Sequence, residues 1–207
     1  MKLIVGWLVV LTGIAMFNPV VKAQERGEDK SKEALAKLVL QSMELSHTLK
    51  TMVEDEKSSL SPDLKQRMKQ RIPRVISSEK LVGYCVENFT LEELKTLNGY
   101  YQSPVGKKRT EAKNRLYTKF VASNGREIDP DTFYEEYLNT FTDAEWAEIG
   151  DFFKTPAAKK IETKEEELVL LGWNSLFYES LADIIRQEDL ESKQSTNSLR
   201  KPVLIGK

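Results

Sequence analysis

A stretch of 20 residues occurs twice in this chain, and this repeat constrains the fold more than any other feature. The first copy, residues 89–108, reads FTLEELKTLNGYYQSPVGKK, and the second, residues 141–160, reads FTDAEWAEIGDFFKTPAAKK. The copies are offset by 52 residues and align without a gap. Most positions that differ keep their character, as where Leu97 becomes Ile149. The chain therefore contains two units that are expected to fold in the same way.

Each copy carries the signals of a helix N-terminus. Thr90 is a favourable N-cap, because its hydroxyl can accept a hydrogen bond from an amide of the first turn. Glu93 follows three residues later and can reach back to the Thr90 amide, which completes a capping box. Phe89 and Leu94 have the spacing of a hydrophobic staple. The second copy has the same four positions in Phe141, Thr142, Glu145 and Trp146.

Each copy then turns a corner into a second helix. Ser103-Pro104 and Thr155-Pro156 place a hydroxyl N-cap before a proline, and proline fits the first turn of a helix. The pattern predicts an all-α fold, a helical bundle built from two similar helix-corner-helix units. Two such units often pack about a pseudo-two-fold axis. The alternative is that the copies share only their local start signals.

An aromatic pair precedes each corner, Tyr100-Tyr101 in the first copy and Phe152-Phe153 in the second. Both pairs continue the apolar helix face that begins near residues 94 and 146. This spacing favours a place in the core and between the two units. The alternative is that the aromatic rings line a groove for a ligand.

The pattern F-T-x-x-E-L, an aromatic pair and then S-P-x-G-x-K resembles the bacterial family named domain of unknown function 2059. The first copy matches the pattern at Phe89, Thr90, Glu93, Leu94, Tyr100, Tyr101, Ser103, Pro104, Gly106 and Lys108. The second copy departs from it, with Trp146 in place of the leucine and Ala158 in place of the glycine. The resemblance implies an exported helical protein without an established activity, and it brings no catalytic residues.

Residues 1–23 have the parts of a signal peptide. Lys2 gives a positive start, residues 3–17 are apolar, and Val21-Lys22-Ala23 fits a cleavage site. The predicted cleavage after Ala23 would place the protein in the periplasm or outside the cell. The apolar run is short for a spanning helix, which needs about 20 residues. The alternative is an uncleaved membrane anchor.

The remaining chain is predicted to form a flexible leader at 24–31, a single all-α domain at 32–188 and a disordered tail at 189–207. Inside the domain, the first helix is expected to run without interruption from about residue 32 to residue 53. Ser61-Pro62 is expected to start a helix, and Pro73 is expected to break one. The helix that starts at Pro156 is expected to end near residue 187.

Charge and cysteine content exclude several classes of function. Without residues 1–23, the chain has 29 basic and 32 acidic residues, a net charge of −3. This balance argues against nucleic-acid binding, which needs a strong positive field. A single cysteine excludes an intrachain disulfide framework.

Four residues are candidates for chemistry, and each has a structural explanation. His47, the only histidine, has no second ligand at metal-binding spacing. Cys85 has no base near it in sequence and is expected to be a buried packing residue. Glu93 and Glu145 could be the paired carboxylates of a glycoside hydrolase, but the capping boxes explain both.

Two charged runs are also open to two interpretations. Basic residues follow the first corner, where a helix N-terminus attracts anions, so they form either an anion site or a solvated face. They are Lys107, Lys108, Arg109, Lys113 and Arg115. The acidic run 165–167 is expected to form a solvated helix face.

These observations favour an exported, periplasmic, all-α protein that binds a protein or another cell-envelope component without catalysing a reaction. No catalytic, cofactor-binding or metal-binding residue is assigned, and no cofactor is predicted. The alternatives are a hydrolase or transferase of envelope polymers and a carrier of a small ligand. No nucleic-acid partner and no membrane span after cleavage is expected, and a homo-oligomer stays open. A polar cleft with converging carboxylates would favour the enzyme, an apolar cavity the carrier, and an exposed apolar patch the partner-binding protein.

Overall fold

The computed structural model describes residues 19–55, 58–122 and 130–199, and the regular structure in these ranges is entirely helical. The fold is therefore all-α, as the sequence predicted. The helices are α1 (Pro19–Ser42), α2 (Leu45–Glu54), α3 (Pro62–Ile76), α4 (Glu79–Asn88), α5 (Leu91–Gln102), α6 (Pro104–Ala122), α7 (Pro130–Leu138), α8 (Asp143–Lys154) and α9 (Pro156–Leu199).

Both repeats fold as the predicted helix-corner-helix unit, α5–α6 in the first copy and α8–α9 in the second. The Thr90 hydroxyl accepts the Glu93 amide at 3.2 Å, and the Glu93 carboxylate accepts the Thr90 amide at 2.7 Å. The same two bonds join Thr142 and Glu145 at 3.3 and 2.8 Å. Both predicted capping boxes are thus present, and each satisfies two backbone amides that the helix itself leaves free.

The helices pack in a bundle with α9 at its centre. Helix α1 packs against α4 and α5, and α3 packs against α2 and α9. Helix α9 also contacts α2, α4, α5 and α8, so it joins the two sides of the molecule. The main hydrophobic core draws buried residues from α1 to α5, α8 and α9. A smaller cluster lies between α6, α7 and α8.

The two units exchange equivalent ion pairs. The Nζ atom of Lys108 lies 2.8 Å from both carboxylate oxygens of Glu145. The Nζ atom of Lys160 lies 2.9 and 3.1 Å from those of Glu93. Lys108 and Lys160 hold the same position in the repeat, as do Glu93 and Glu145. Each lysine also lies 5.5 Å from the ring of the other copy's staple phenylalanine.

An aromatic stack lies between the two units. Tyr100 and Phe152, which again hold equivalent positions, have ring centroids 3.6 Å apart and ring planes 3° from parallel. Both side chains are buried. The prediction that the aromatic pairs belong to the core and the unit interface is therefore confirmed. The stack joins equivalent residues of the two copies, and each ion pair has its equivalent in the other. A pseudo-two-fold arrangement requires such reciprocal contacts.

The prediction of one uninterrupted helix over residues 32–53 is wrong. Helix α1 ends at Ser42 and α2 begins at Leu45, although no glycine or proline lies between them. The break follows from a tertiary contact that local sequence does not reveal. Glu44 lies at the break and is buried, and it faces Arg109 and Lys113 on α6.

The prediction that Pro73 breaks a helix is also wrong. Helix α3 continues through Pro73 to Ile76, and the chain breaks at Ser77-Ser78 instead. Ser78 caps α4, because its hydroxyl accepts a first-turn amide at 3.4 Å. Burial of Val75 and Ile76 holds the last turn of α3 in place, although proline removes one helical hydrogen bond there.

The terminal helices are longer than the sequence indicated. Helix α1 includes residues 24–31, predicted as a flexible leader, and α9 extends to Leu199, through part of the predicted disordered tail. Extending a helix costs less than nucleating one, so good helix formers such as glutamate and lysine lengthen helices whose other turns are packed. Residues 1–18 of the predicted signal peptide and residues 200–207 of the tail lie outside the described residues.

Candidate functional site

Two adjoining cavities open on one side of the bundle and share Lys113 and Tyr117. The larger has a volume of about 450 Å³ and lies between α2, α6 and α9; we call it the acidic chamber. Its walls include Glu44, His47, Lys113, Glu162, Glu165 and Glu166. The smaller, of about 340 Å³, lies between α6 and α7; we call it the aromatic chamber. Its walls are Arg109, Lys113, Leu116, Tyr117, Tyr134 and Tyr137. Together they form the Glu44 cleft.

A buried carboxylate lies at the floor of this cleft. Glu44 is 6% exposed. Its Oε1 atom lies 3.5 Å from the Arg109 guanidinium and 3.3 Å from the Lys113 ammonium. Among the described residues, this oxygen accepts no hydrogen bond, so the pairing is Coulombic and loose. A buried charge without hydrogen bonds is costly, and such atoms are common where a ligand binds.

Arg109 connects the cleft to the interface between the units. Its guanidinium lies 4.6 Å from the ring centre of Phe153, and its side chain is 14% exposed. Burial raises the pKa of Tyr100, which lies close to this guanidinium, to about 12. Tyr100 is therefore a neutral hydroxyl at physiological pH. Its oxygen has no hydrogen-bond partner among the described residues.

Glu44 is the functional candidate that the sequence reading missed. A signal for it exists, because Ala36, Leu40 and Glu44 follow one another at intervals of four residues. The first two are completely buried, so the uninterrupted helix that the sequence predicted would have placed the third on the same buried face; in the structure it is buried at the break between α1 and α2. A carboxylate in a buried helical stripe indicates a buried charge that needs partners. The partners themselves are on α6 and cannot be inferred from spacing.

His47, for which the sequence suggested no metal partner, lines the acidic chamber. Its Nε2 atom lies 3.3 Å from the Thr118 hydroxyl, and its ring makes an edge contact with Tyr117 at 6.2 Å. Burial, with a smaller contribution from the Lys50 charge, lowers the pKa of His47 below its ordinary 6.5. The imidazole is therefore mostly neutral at pH 7. A neutral imidazole can accept or donate a proton, so His47 is placed to meet a ligand.

Cys85 lies outside the cleft, in the main core, as expected for a packing residue. Its side chain is 1% exposed, and burial raises the pKa of its thiol to about 12. A thiolate is the nucleophilic form of cysteine, so this residue is inert at neutral pH.

The basic cluster after the first corner divides between two tasks. Lys108 pairs with Glu145 across the unit interface, whereas Arg109 and Lys113 face Glu44. The interpretation as a plain solvated face is therefore wrong for these three residues. The remaining two, Lys107 and Arg115, are exposed.

The described residues include no group of three or more His, Cys, Asp or Glu side chains that could hold a metal ion. The acidic chamber is lined on its α9 side by the carboxylates of Glu162, Glu165 and Glu166. Two of these carboxylates belong to the run at 165–167. The third member of that run, Glu167, turns away and pairs with Lys164 at 2.8 Å.

The outer face of α9 is a second exposed feature. Leu170 and Tyr178 are 58% and 66% exposed, and Ile185 and Leu190 are exposed as well. Within the described residues, α9 is the one helix that is long and apolar enough to cross a membrane by length and composition alone. The core helix of a water-soluble protein meets the same criterion. Leu168 and Leu176 on the opposite face are completely buried in the protein core.

The comparisons with known proteins identify a family and no function. No curated protein and no solved structure matches the chain. A family model described as "Uncharacterized protein conserved in bacteria (DUF2059)" matches twice, over residues 79–128 and 131–185. The two matches contain the two repeats and together cover just over half of the chain. The chain therefore belongs to this bacterial family, the one that its repeated motif resembles.

Proposed function

We propose that this protein is exported to the periplasm and acts there as a non-enzymatic binding protein of the cell envelope, with the Glu44 cleft as its ligand site. The features of residues 1–23 support export, and the family supports a bacterial source. The cleft is a concave site with a few polar groups that converge on one place, which supports the binding of a ligand. Its carboxylates keep an enzyme as the alternative.

One observation carries the proposal. The Oε1 atom of Glu44 is buried in the cleft wall and accepts no hydrogen bond from the described residues, while two cations lie within 3.5 Å of it. The folded protein thus holds charged groups in place without satisfying them. A ligand that entered the cleft would give the two cations the hydrogen-bond acceptors that Glu44 does not provide, and this would offset part of their desolvation cost.

A hydrolase is the second candidate, because the acidic chamber brings His47 together with the carboxylates of Glu44 and Glu165. Imidazole and carboxylate are the usual groups of general acid–base catalysis. We favour the binding function, because the Glu44 carboxylate faces two cations, whereas the ring nitrogen of His47 contacts the Thr118 hydroxyl.

Co-purification tests both candidates. The protein would be expressed with its own residues 1–23, isolated from the periplasm by osmotic shock, and examined by native mass spectrometry for a bound molecule. We expect an N-terminus at Gln24 and a bound molecule that is lost from Lys113→Gln. The matched control is Lys107→Gln, which removes an exposed charge from the same helix outside the cleft.

The outcomes separate the candidates. Retention of Met1 in the membrane fraction would overturn export, and equal occupancy of both lysine variants would remove the cleft as the site. Release of soluble fragments from purified cell wall by the wild type, abolished in a folded His47→Gln variant, would favour the hydrolase. Circular dichroism would establish that each variant is folded before its binding or activity is compared.

A further inference from the structure

We infer that the ligand of the Glu44 cleft carries a positively charged amine and an anionic group, as a short peptide with free ends does. This inference rests on the proposed function and specifies the chemistry that the same cleft recognises. The argument depends on the separation of charges between the two walls of the cleft and on the apolar chamber beside them.

The α6 wall attracts the anionic group. Arg109 and Lys113 together carry two positive charges, and the single carboxylate that faces them, Glu44, accepts a hydrogen bond from neither. The Lys113 side chain is 39% exposed and lines both chambers, so its ammonium is within reach of a ligand. A carboxylate or phosphate at this place would accept charge-assisted hydrogen bonds from the two cations, whose two positive charges exceed the single negative charge of Glu44.

The α9 wall attracts the amine. Glu162, Glu165 and Glu166 lie at helical intervals of three and four residues, so they share one face, and they line the acidic chamber across from Lys113. None of the three forms an ion pair with another described residue, in contrast to Glu167 next to them. An ammonium group has three hydrogen-bond donors and the opposite charge, so it suits these carboxylates.

The aromatic chamber accepts the apolar part of the ligand. Tyr117, Tyr134 and Tyr137 surround it with Leu116, and the Tyr134 side chain is 66% exposed. The chamber begins at Lys113, so an apolar side chain next to a bound carboxylate would lie against these rings. Along the cleft, the ligand would thus present an amine, an anionic group and an apolar side chain. A dipeptide has these groups in its N-terminus, its C-terminal carboxylate and the side chain of an apolar C-terminal residue.

Two sources provide an amine together with an anion. One is a short peptide, and the other is a phosphoethanolamine headgroup. The dipeptide alanyl-phenylalanine represents the first source, and glycerophosphoethanolamine represents the second. Chemical shifts of the ¹⁵N-labelled protein, with residues 1–23 removed, would be followed during titration with each probe. The N-acetylated and C-terminally amidated forms of the dipeptide would be titrated in parallel.

We expect the free dipeptide to shift signals of Lys113, Tyr117 and their neighbours, and each blocked form to bind about tenfold more weakly, since each has lost one charged contact. Lys113→Gln should bind the free and amidated dipeptides equally. Glu165→Gln should reduce the difference in affinity between the free and the N-acetylated dipeptide. Lys107→Gln should behave as the wild type.

Two results would overturn the inference. Blocked forms that bind as well as the free dipeptide would show that the charges are not recognised. Absence of binding by both the dipeptide and glycerophosphoethanolamine would also overturn it. If an envelope extract still shifted the signals of the cleft in that case, the proposed function would survive without this inference. Shifts confined to another surface would overturn both.

Discussion

At the scale of single residues, Gly106 shows how closely the first corner is packed. A Cβ atom at this position would lie 1.9 Å from the carbonyl oxygen of Tyr100, a backbone atom that cannot move aside. The equivalent residue of the second copy is Ala158, which is completely buried. The two corners therefore differ in how closely the second helix approaches the first, although their caps are the same.

This difference predicts that both reciprocal substitutions destabilise the protein, for different reasons. Gly106→Ala should destabilise the protein by about 1–3 kcal/mol or more, because the added methyl group overpacks the corner. Ala158→Gly should cost about 1 kcal/mol, the usual effect of glycine in a helix. Urea unfolding would measure both. A Gly106→Ala variant as stable as the wild type would mean that α6 can move away from α5 without loss.

The residues that sequence reasoning placed correctly are those whose environment is local. The capping residues and the aromatic pairs follow from spacing within one helix. Glu44 was missed because its environment depends on α6, more than 60 residues away in the chain. The basic residues of α6 were recognised in the sequence, but their role could not be decided. A basic run has the same sequence whether its side chains contact water or a buried carboxylate.

At the scale of helices, the two N-caps provide a matched test. The Thr90 and Thr142 hydroxyls accept first-turn amides at 3.2 and 3.3 Å, so Thr→Ala at either site should cost about 0.5–2 kcal/mol. Thr→Ser should cost much less, since the oxygen is kept. Thermal and urea unfolding would compare the four variants. Equal stability of the alanine and serine variants at both sites would mean that water replaces the hydroxyl without loss.

Helix α9 can be tested with two leucines that are two residues apart. Leu168 is completely buried and Leu170 is 58% exposed. Leu168→Ala should therefore cost about 2–5 kcal/mol, whereas Leu170→Ala should change stability by less than about 0.5 kcal/mol. Unfolding in aqueous buffer without detergent would measure both. Equal losses of stability in the two variants, or a protein that stays in solution only with detergent, would contradict the assignment of α9 as a core helix.

Most helix starts could be predicted, whereas the ends of α1, α3 and α9 could not. Ser61-Pro62, Thr90 and Thr142 each begin a helix as expected, because capping is a local interaction. The interruption near Glu44 and the continuation of α3 past Pro73 depend on tertiary packing, which outweighs local preference by a few kcal/mol. Helix boundaries decided by distant contacts leave no sign in a single sequence.

At the scale of the whole molecule, the repeat predicted two similar units but not how they are joined. The joining contacts are the stack of Tyr100 on Phe152 and the two reciprocal ion pairs between capping glutamates and lysines. Each glutamate thus has two roles, in its own capping box and in a bridge to the other unit. The second role could not be inferred, because it depends on the packing of one copy against the other.

The double role predicts how stability depends on pH. Although burial alone would raise the pKa of Glu93, hydrogen bonds from Thr90 and Lys160 lower it below 4.5. The hydrogen bond from Lys108, with that from the Thr142 amide, lowers the pKa of Glu145 in the same way. A carboxyl group with a lowered pKa stabilises the fold above its unfolded value, and the contribution is lost as the pH falls through the folded value.

Glutamine at either position should therefore destabilise the protein at pH 7, and the difference from the wild type should shrink as the pH falls below about 4.5. Because Gln keeps the capping box, the loss isolates the bridge. Lys108→Gln and Lys160→Gln should cause the same loss of stability at pH 7. The double variant Lys108→Gln, Glu145→Gln should lose less stability than the sum of the two single variants, since both substitutions remove the same ion pair. Unfolding midpoints from pH 3 to pH 7 would provide these values. A difference that stays constant over this range, or lysine variants as stable as the wild type, would mean that the glutamates act only as caps and that the two units are joined by their aromatic stack.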